Sequence, residues 1–317
     1  MPLHEHDLIL YSGSGGPLGH AVKKIFNLTE KSIGFNSKDC NLLDKNLTNN
    51  YFKEIINQHS ASDISYLHIA AVSGGSHLSE KIPATLFVDN IEMAINSLNA
   101  CRDFGINRVI LILSTSCYSG LIENPSEKSI HQFPIETAEY GYSYAKRMFE
   151  VLMRAYNKQF GMSISCALVN GIIGEGMNFD PEKSILPAAL IKKFVDNRDT
   201  DSEIELWGDG MPIREYTSSQ DLARALAWCL KHQEINTLLN IGNTQKVSVK
   251  ELAFLIADQI GINHDRIKFN GVKSAGKKIQ ATDNTNFVKA SHFKYENILT
   301  AVNDAIPSYL NNRENLS

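Results

Sequence analysis

Residues 7–12 form a short apolar run, and Gly13, Gly16 and Gly19 follow it at once, ahead of an amphipathic stretch over residues 20–26. No other feature constrains the fold of this chain so tightly as this order of strand, glycine turn and helix. Glycines at G-x-x-G-x-x-G spacing permit a tight turn, let backbone N–H groups approach a pyrophosphate, and let the helix pack closely on the strand. A merely flexible turn would use the same glycines. The strand before and the helix after them favour dinucleotide binding, with Gly13, Gly16, Leu18 and Gly19 as the candidate contacts.

The pattern then continues. Strands are expected at residues 32–36, 64–69, 108–113 and 163–169, with a long helix over residues 84–104 and another carrying residues 139–150. Alternating strands and helices define an α/β chain with a Rossmann-type, doubly wound parallel sheet. Beyond residue 170 the alternation loosens, with a helix expected over residues 185–195 and a strand over 203–207. It resumes at 238–241, 249–260, 268–269 and a last helix near 295–310. The expected division is a nucleotide-binding domain over residues 1–170, with a later return near 215–245. A smaller C-terminal substrate-binding lobe takes residues 171–214 and 246–317.

The second strand runs into Asn36, Ser37, Lys38 and Asp39. An acidic residue here usually holds a ribose 2′-hydroxyl, whereas a basic one accommodates a 2′-phosphate. Lys38 comes first, so NADP(H) is the expected cofactor. Asp44 falls where the adenine edge of such a site lies, or caps a helix beginning near Leu47. Ala70 and Ala71, after the third strand, leave room for a cofactor to cross the sheet edge.

Composition removes several classes of function. With 31 basic and 35 acidic residues the net charge is −4, which gives no electrostatic footprint for nucleic acid. No apolar run reaches about 18 residues, and the first residues are acidic where a signal peptide is basic, so a cytoplasmic protein without a membrane segment is expected. Cys40, Cys101, Cys117, Cys166 and Cys229 are scattered and form no Cys-x-x-Cys pair, which argues against a disulfide framework or a metal site.

Tyr142 and Lys146 stand four residues apart, a spacing that puts both on one helix face. A cation beside a phenol favours the phenolate and draws its pKa down from about 10, so the pair can exchange a proton with a carbonyl. Many surface helices carry the same spacing with a solvated lysine, so other parts are needed. They are present in order: the glycine turn, residues 68–75 (His-Ile-Ala-Ala-Val-Ser-Gly-Gly), Ser116-Cys117, Tyr156 to Gly161, Asn178 to Pro181, Trp207-Gly208 and Arg214-Glu215. From about Leu8 to Asp283 the chain resembles the extended short-chain dehydrogenase/reductase family, and within it the branch acting on GDP-linked 4-keto-6-deoxy sugars.

The resemblance implies NADPH-dependent reduction of a 4-keto nucleotide sugar. Tyr142 then protonates the C4 oxygen, Lys146 holds the nicotinamide ribose and lowers the tyrosine pKa, and Thr115 donates a hydrogen bond to the same carbonyl. Ser114 and Ser116 flank Thr115 and serve instead if the register differs by one. Cys117 falls on the acid/base cysteine used for epimerisation. Its histidine partner is missing, because the corresponding segment reads Asp180-Pro181-Glu182-Lys183-Ser184-Ile185-Leu186-Pro187.

The substrate-binding candidates are Asn178, Trp207, Arg214 and Lys278. Arg214 matches a pyrophosphate-binding arginine or else bridges to Glu215, and Trp207 stacks near the base or packs in the core. The expected activity is C4 reduction of a GDP-linked sugar, hexose or heptose, without full epimerisation. A bifunctional epimerase/reductase, a dTDP- or CDP-linked substrate, and a redox-silent NADP-binding regulator are the alternatives. A homodimer is expected through the helix of Tyr142 and Lys146, whose Met148, Phe149, Val151 and Leu152 suit either a partner helix or the core.

Overall fold

A computed structural model describes residues 8–26, 31–135, 139–232, 237–271, 279 and 281–314. The chain opens with β1 (Leu8–Ser12), α1 (Pro17–Phe26), β2 (Lys31–Phe35), α2 (Lys45–Gln58) and β3 (Ile64–His68). Then come α3 (Ser76–Lys81), α4 (Pro83–Phe104), β4 (Arg108–Ser114), α5 (Tyr140–Phe160), β5 (Ser163–Val169) and β6 (Gly171–Ile173). The remainder forms α6 (Leu186–Asp196), β7 (Ile204–Leu206), β8 (Ile213–Ser218), α7 (Ser219–Lys231), β9 (Leu238–Asn240) and β10 (Lys246–Ser248). It ends with α8 (Val249–Ile260), β11 (Ile267–Phe269), α9 (Thr285–Ser291) and α10 (Ile298–Glu314).

The main sheet is six-stranded, in the order β2-β1-β3-β4-β5-β9, and every pairing is parallel. Strands β1, β3, β4 and β5 are buried on both faces because both are covered, as in parallel sheets generally, whereas the edge strand β2 is partly exposed. Side chains alternate along each strand. Leu8 and Leu10 of β1, with Val109, Leu111 and Leu113 of β4, face a core shared with Phe52, Leu98 and Phe149. Ile9, Tyr11, Ile110 and Ile112 face the other side, against Leu18, Val22, Phe26 and Leu226. A separate core, containing Ile173, Phe194, Leu206, Tyr216, Ile256 and Val302, belongs to the smaller lobe.

From β1 the chain steps to β2 at the edge, then returns to β3 on the other side of β1. That reversal opens a crevice at the carboxyl ends of β1 and β3, where ligands of such sheets bind. Ser12 closes its floor: the side-chain oxygen accepts from the N–H groups of Ile69 (3.2 Å) and Ala70 (3.1 Å). Asn90 of α4, fully buried, secures the next turn by donating to the Val72 carbonyl (2.9 Å) and accepting from the Val72 N–H (3.2 Å). The strand-end loop is thus tied at two points before it reaches Gly74 and Gly75.

The strands and long helices expected from sequence all occur, with ends shifted by a few residues. The short strands β6, β8 and β10, and helices α7 and α9, were not anticipated. β8 pairs with β6 on one side and β10 on the other, so its apolar and polar residues are partitioned by a small sheet rather than by a periodic pattern of their own. On α5 Phe149 is fully buried, so its core-facing reading holds, whereas Val151 is exposed. Among the described residues no helix is long and apolar enough to cross a membrane, and no cluster of His, Cys, Asp or Glu could hold a metal ion.

The glycine turn is sterically closed. A Cβ on Gly19 would lie 2.3 Å from the Gly13 carbonyl oxygen and 2.7 Å from the Ser14 Cα. Gly13 itself has φ of 74°, and its Cβ would meet the Ala70 nitrogen at 2.8 Å. Gly19→Val is expected to destabilise the fold by at least about 1–3 kcal/mol through overpacking against backbone. Urea unfolding of the variant beside the parent chain measures it.

Candidate active site

At the carboxyl end of β4 the chain turns sharply through Thr115–Cys117, a single 3-10 turn. Ser114 caps it, its side chain accepting from the Ser116 N–H at 3.2 Å. Helix α5 runs beneath this turn, so the side chains at its amino-terminal end meet the turn from below. The sequence-derived group of Thr115, Cys117, Tyr142 and Lys146 is therefore drawn together by two elements that the fold packs side by side.

Lys146 is almost fully buried, and its Nζ donates to the Ile112 carbonyl at 2.9 Å. The ammonium lies 4.4 Å from the centre of the Phe149 ring and 5.9 Å from that of Tyr142. Burial pushes its pKa down from 10.5 to about 8, while Cys117 and Cys166 pull weakly upward. A lysine in such surroundings retains donors beyond the one spent on Ile112.

Tyr142 departs from expectation. Burial pushes its phenol above the ordinary tyrosine range, Cys117 and Glu139 push the same way, and hydrogen bonding with Ser114 opposes them. The expected lowering by Lys146 is not seen: the phenol is desolvated, and the ammonium lies 5.9 Å from the ring centre with one donor on the Ile112 carbonyl. The phenol is accordingly held protonated, which suits a proton donor.

Ser114 is thus the residue of this turn that hydrogen-bonds the tyrosine, an outcome the sequence left open by flanking Thr115 with two serines. Thr115 is buried at the head of the turn, and the Ser116 hydroxyl is buried without a hydrogen-bond partner among the described residues. Cys117 is fully buried, and burial pushes its thiol up to about 11 against the opposing hydrogen bond of Ser114 and the charges of Lys146 and Arg147.

The cofactor-side candidates line the crevice. Gly13 and Gly16 make the turn, and the Gly16 N–H donates to the Gly13 carbonyl at 3.2 Å. Leu18 and Gly19 lie in the first turn of α1, whose N–H groups have no partner within the helix and suit an anion. Ala70 and Ala71 follow β3. Lys38 is exposed at the end of β2, whereas Asp39 is spent on the turn, its carboxylate accepting from the Asn36 N–H at 2.9 Å. Asp44 caps α2, accepting from the N–H groups of Asn46 (2.8 Å) and Leu47 (3.0 Å), which is the helix-cap alternative raised above.

A glycine turn closed to a Cβ at Gly13 and Gly19, a helix start facing it, and an exposed lysine just after the second strand all fit NADP(H).

On the substrate side, Arg214 and Glu215 are neighbours on β8 and face opposite ways, as strand residues must. Glu215 turns inward and accepts from the N–H and the hydroxyl of Thr282, both at 3.0 Å. Its other oxygen is buried without a hydrogen-bond partner among the described residues, and burial pushes the carboxyl up to about 7. Arg214 is partly buried; burial pushes its pKa down, and the charges of Tyr216 and of Glu139, just before α5, oppose this. Glu139 was not singled out from sequence, where a lone glutamate before a helix carries no signal.

Trp207 is 66% exposed, which excludes the core-packing alternative. Asn178 is exposed, and its side chain accepts from the Asp180 N–H at 2.9 Å, closing its own turn. Lys278 lies outside the described residues.

Residues 17–242 match the NAD dependent epimerase/dehydratase family, and the chain belongs to that family. It is an extended short-chain dehydrogenase/reductase, an enzyme of nicotinamide-dependent chemistry. The GDP-L-fucose synthase of Dictyostelium discoideum is 28% identical over 284 residues, which cover 87% of this chain and 86% of that protein. The GDP-L-colitose synthase of Yersinia pseudotuberculosis is 27% identical over 324 residues, covering 97% and 99%. The crystal structure of a GDP-L-fucose synthetase from Naegleria fowleri bound to NADP has a TM-score of 0.86 at 26% identity, covering 99% of this chain and 97% of that one.

The low pKa of Lys146 has a consequence for stability. The unfolded chain keeps this proton up to about pH 10.5, whereas the folded chain releases it near 8, so stability gains as pH rises through that window. Below it the full cost of burying the charge is present, of order 3 kcal/mol. Lys146→Met should remove that rise, so the parent chain gains on the variant by this amount between pH 8 and 10.5 in chemical unfolding.

Proposed function

We propose that this chain is an NADPH-dependent C4-ketoreductase of a GDP-linked 4-keto-6-deoxy sugar, hexose or heptose, without full epimerisation beside the ketone. The oxidoreductase class and the cofactor rest on the family and on the NADP-bound relative. The GDP-sugar rests on the two synthases to which the chain is similar over most of its length.

When bound, NADPH supplies the hydride for C4. Tyr142 donates its phenolic proton to the C4 oxygen as negative charge develops there, and the hydroxyls of Thr115 and Ser114 donate hydrogen bonds to the same atom. Lys146 keeps one donor on Ile112 and offers the others to the nicotinamide ribose. Gly13, Gly16, Leu18 and Gly19 receive the pyrophosphate, Lys38 the 2′-phosphate, and Arg214 and Trp207 the sugar nucleotide, with Lys278 and Asn178 assigned to the same side. Homodimerisation and a cytoplasmic setting belong to the same reading.

The observation that carries the reductase-only assignment is the state of Cys117. A thiol sealed from solvent, with its pKa pushed up to about 11, is poorly prepared to remove a proton from carbon. The segment that would supply its histidine partner is otherwise engaged. Glu182 bridges to Lys81 (3.2 Å) and His77 (3.4 Å) on α3, and Lys183 pairs with Asp180 at 3.6 Å. The presence of a cysteine beside Thr115, together with the likeness to GDP-L-fucose synthases, favours a bifunctional epimerase/reductase as the second reading.

Purified protein given NADPH and GDP-4-keto-6-deoxymannose should consume the NADPH absorbance, and Tyr142→Phe should lose about 10²–10⁴ of that rate. An undiminished rate in the variant removes the tyrosine from the chemistry. The same reaction in deuterated water should leave C3 and C5 unlabelled, and deuterium at both positions would establish the bifunctional reading instead.

A further inference from the structure

Arg147, the residue after Lys146, is 5% exposed and takes no part in the chemistry above. Its guanidinium donates from Nε (2.9 Å) and Nη2 (2.5 Å) to the carbonyl of Cys117, and from Nη1 (3.0 Å) to the carbonyl of Phe133. The same guanidinium lies 5.2 Å from the centre of the Tyr144 ring, whose hydroxyl accepts from the Ile135 N–H at 3.0 Å. Two side chains of α5 thus hold three backbone groups of the segment that leaves β4 and returns to α5.

We propose that Arg147 is a positioning residue for the reduction: its fork on the Cys117 carbonyl fixes the Thr115–Cys117 turn against α5. It thereby sets the Ser114 and Thr115 hydroxyls in register with Tyr142.

The argument is geometric. Ser114 and Thr115 come from β4, whereas Tyr142 and Lys146 come from α5, and all must converge on one oxygen atom. Strand and helix are packed apolar surfaces that restrain separation well and sliding poorly. Directional bonds are needed to fix the remaining freedom, and a planar guanidinium with rigidly spaced donors supplies them. The fork reaches the last residue of the turn, two positions after Thr115. Lys146 grips Ile112, two positions before Ser114, from the adjoining position on α5. The two catalytic hydroxyls are therefore bracketed by consecutive cations of one helix. Without the guanidinium, the Cys117 and Phe133 carbonyls lose their buried partner, and the turn must shift to find another.

The kinetic part of this inference rests on the ketoreductase reading, and the structural part does not. Two measurements on Arg147→Met and Arg147→Lys in the full chain separate them. The first is iodoacetamide alkylation resolved at each of the five buried cysteines, Cys40, Cys101, Cys117, Cys166 and Cys229. In Arg147→Met the rate at Cys117 alone should rise about tenfold or more, with Arg147→Lys intermediate and the other four thiols as slow as in the parent. The second is turnover of NADPH with GDP-4-keto-6-deoxymannose. There kcat should fall by about 10–100-fold in Arg147→Met, as expected for misplaced reacting groups, while the KM for NADPH stays within about threefold.

Alkylation rising at all five thiols together would mean that Arg147 merely stabilises the fold, and overturns the proposal. So does an unchanged rate at Cys117, or a parent-like kcat in a variant whose Cys117 is exposed. If the parent chain leaves GDP-4-keto-6-deoxymannose untouched, the substrate reading fails while the alkylation pattern still decides whether the fork holds the turn.

Discussion

The bond from the Lys146 ammonium to the Ile112 carbonyl ties the active site to the sheet. A charged amine has been carried into an apolar interior, against Phe149 and beneath β4, at a cost visible in its lowered pKa. The bond works only if β4 and α5 hold their register, which the parallel sheet and its covering helices enforce. The crevice at the ends of β1 and β3 then lies at the same sheet edge as the β4 turn. The crevice and the turn that meets Tyr142 and Lys146 share one edge because a parallel sheet puts all its strand ends there.

A division of labour between backbone and side chain runs through the whole site. Glycines and strand ends shape the cofactor crevice, with Ser12 and Asn90 fastening the loop at its floor. Tyr142 and Lys146 of α5 stand at the β4 turn, and Arg147 and Tyr144 of the same helix hold the segment that follows it. The smaller lobe, which carries Arg214 in β8 and Trp207 just after β7, has a core of its own.

Much of this was legible in the sequence. Strands β1, β3, β4 and β5 announce themselves as apolar runs because both faces are buried, and the glycine turn identifies the crevice they build. The site helix was found through Tyr142 and Lys146. The lobe was harder, because β6 and β10 are three residues each, and β8, with the sequence Ile-Arg-Glu-Tyr-Thr-Ser, is not an apolar run. The state of Tyr142 was also out of reach, since the balance between a nearby cation and desolvation depends on where Nζ points. Likewise Arg147 reads as an ordinary helix-surface arginine until the Cys117 and Phe133 carbonyls are seen beneath it. The exposure of Trp207 could be settled only by the placement of its loop.

The loop that lacks the histidine brings its backbone close against the glycines of the strand-end loop. The carbonyl oxygen of Ser184 stands 2.8 Å from where a Cβ on Gly75 would be, and that of Lys183 stands 3.1 Å from one on Gly74. The two loops therefore come together main chain against main chain at Gly74 and Gly75, and the exposed ion pairs of Glu182 with His77 and Lys81 add a side-chain tie just beyond. A side chain added at either glycine would therefore wedge the two loops apart.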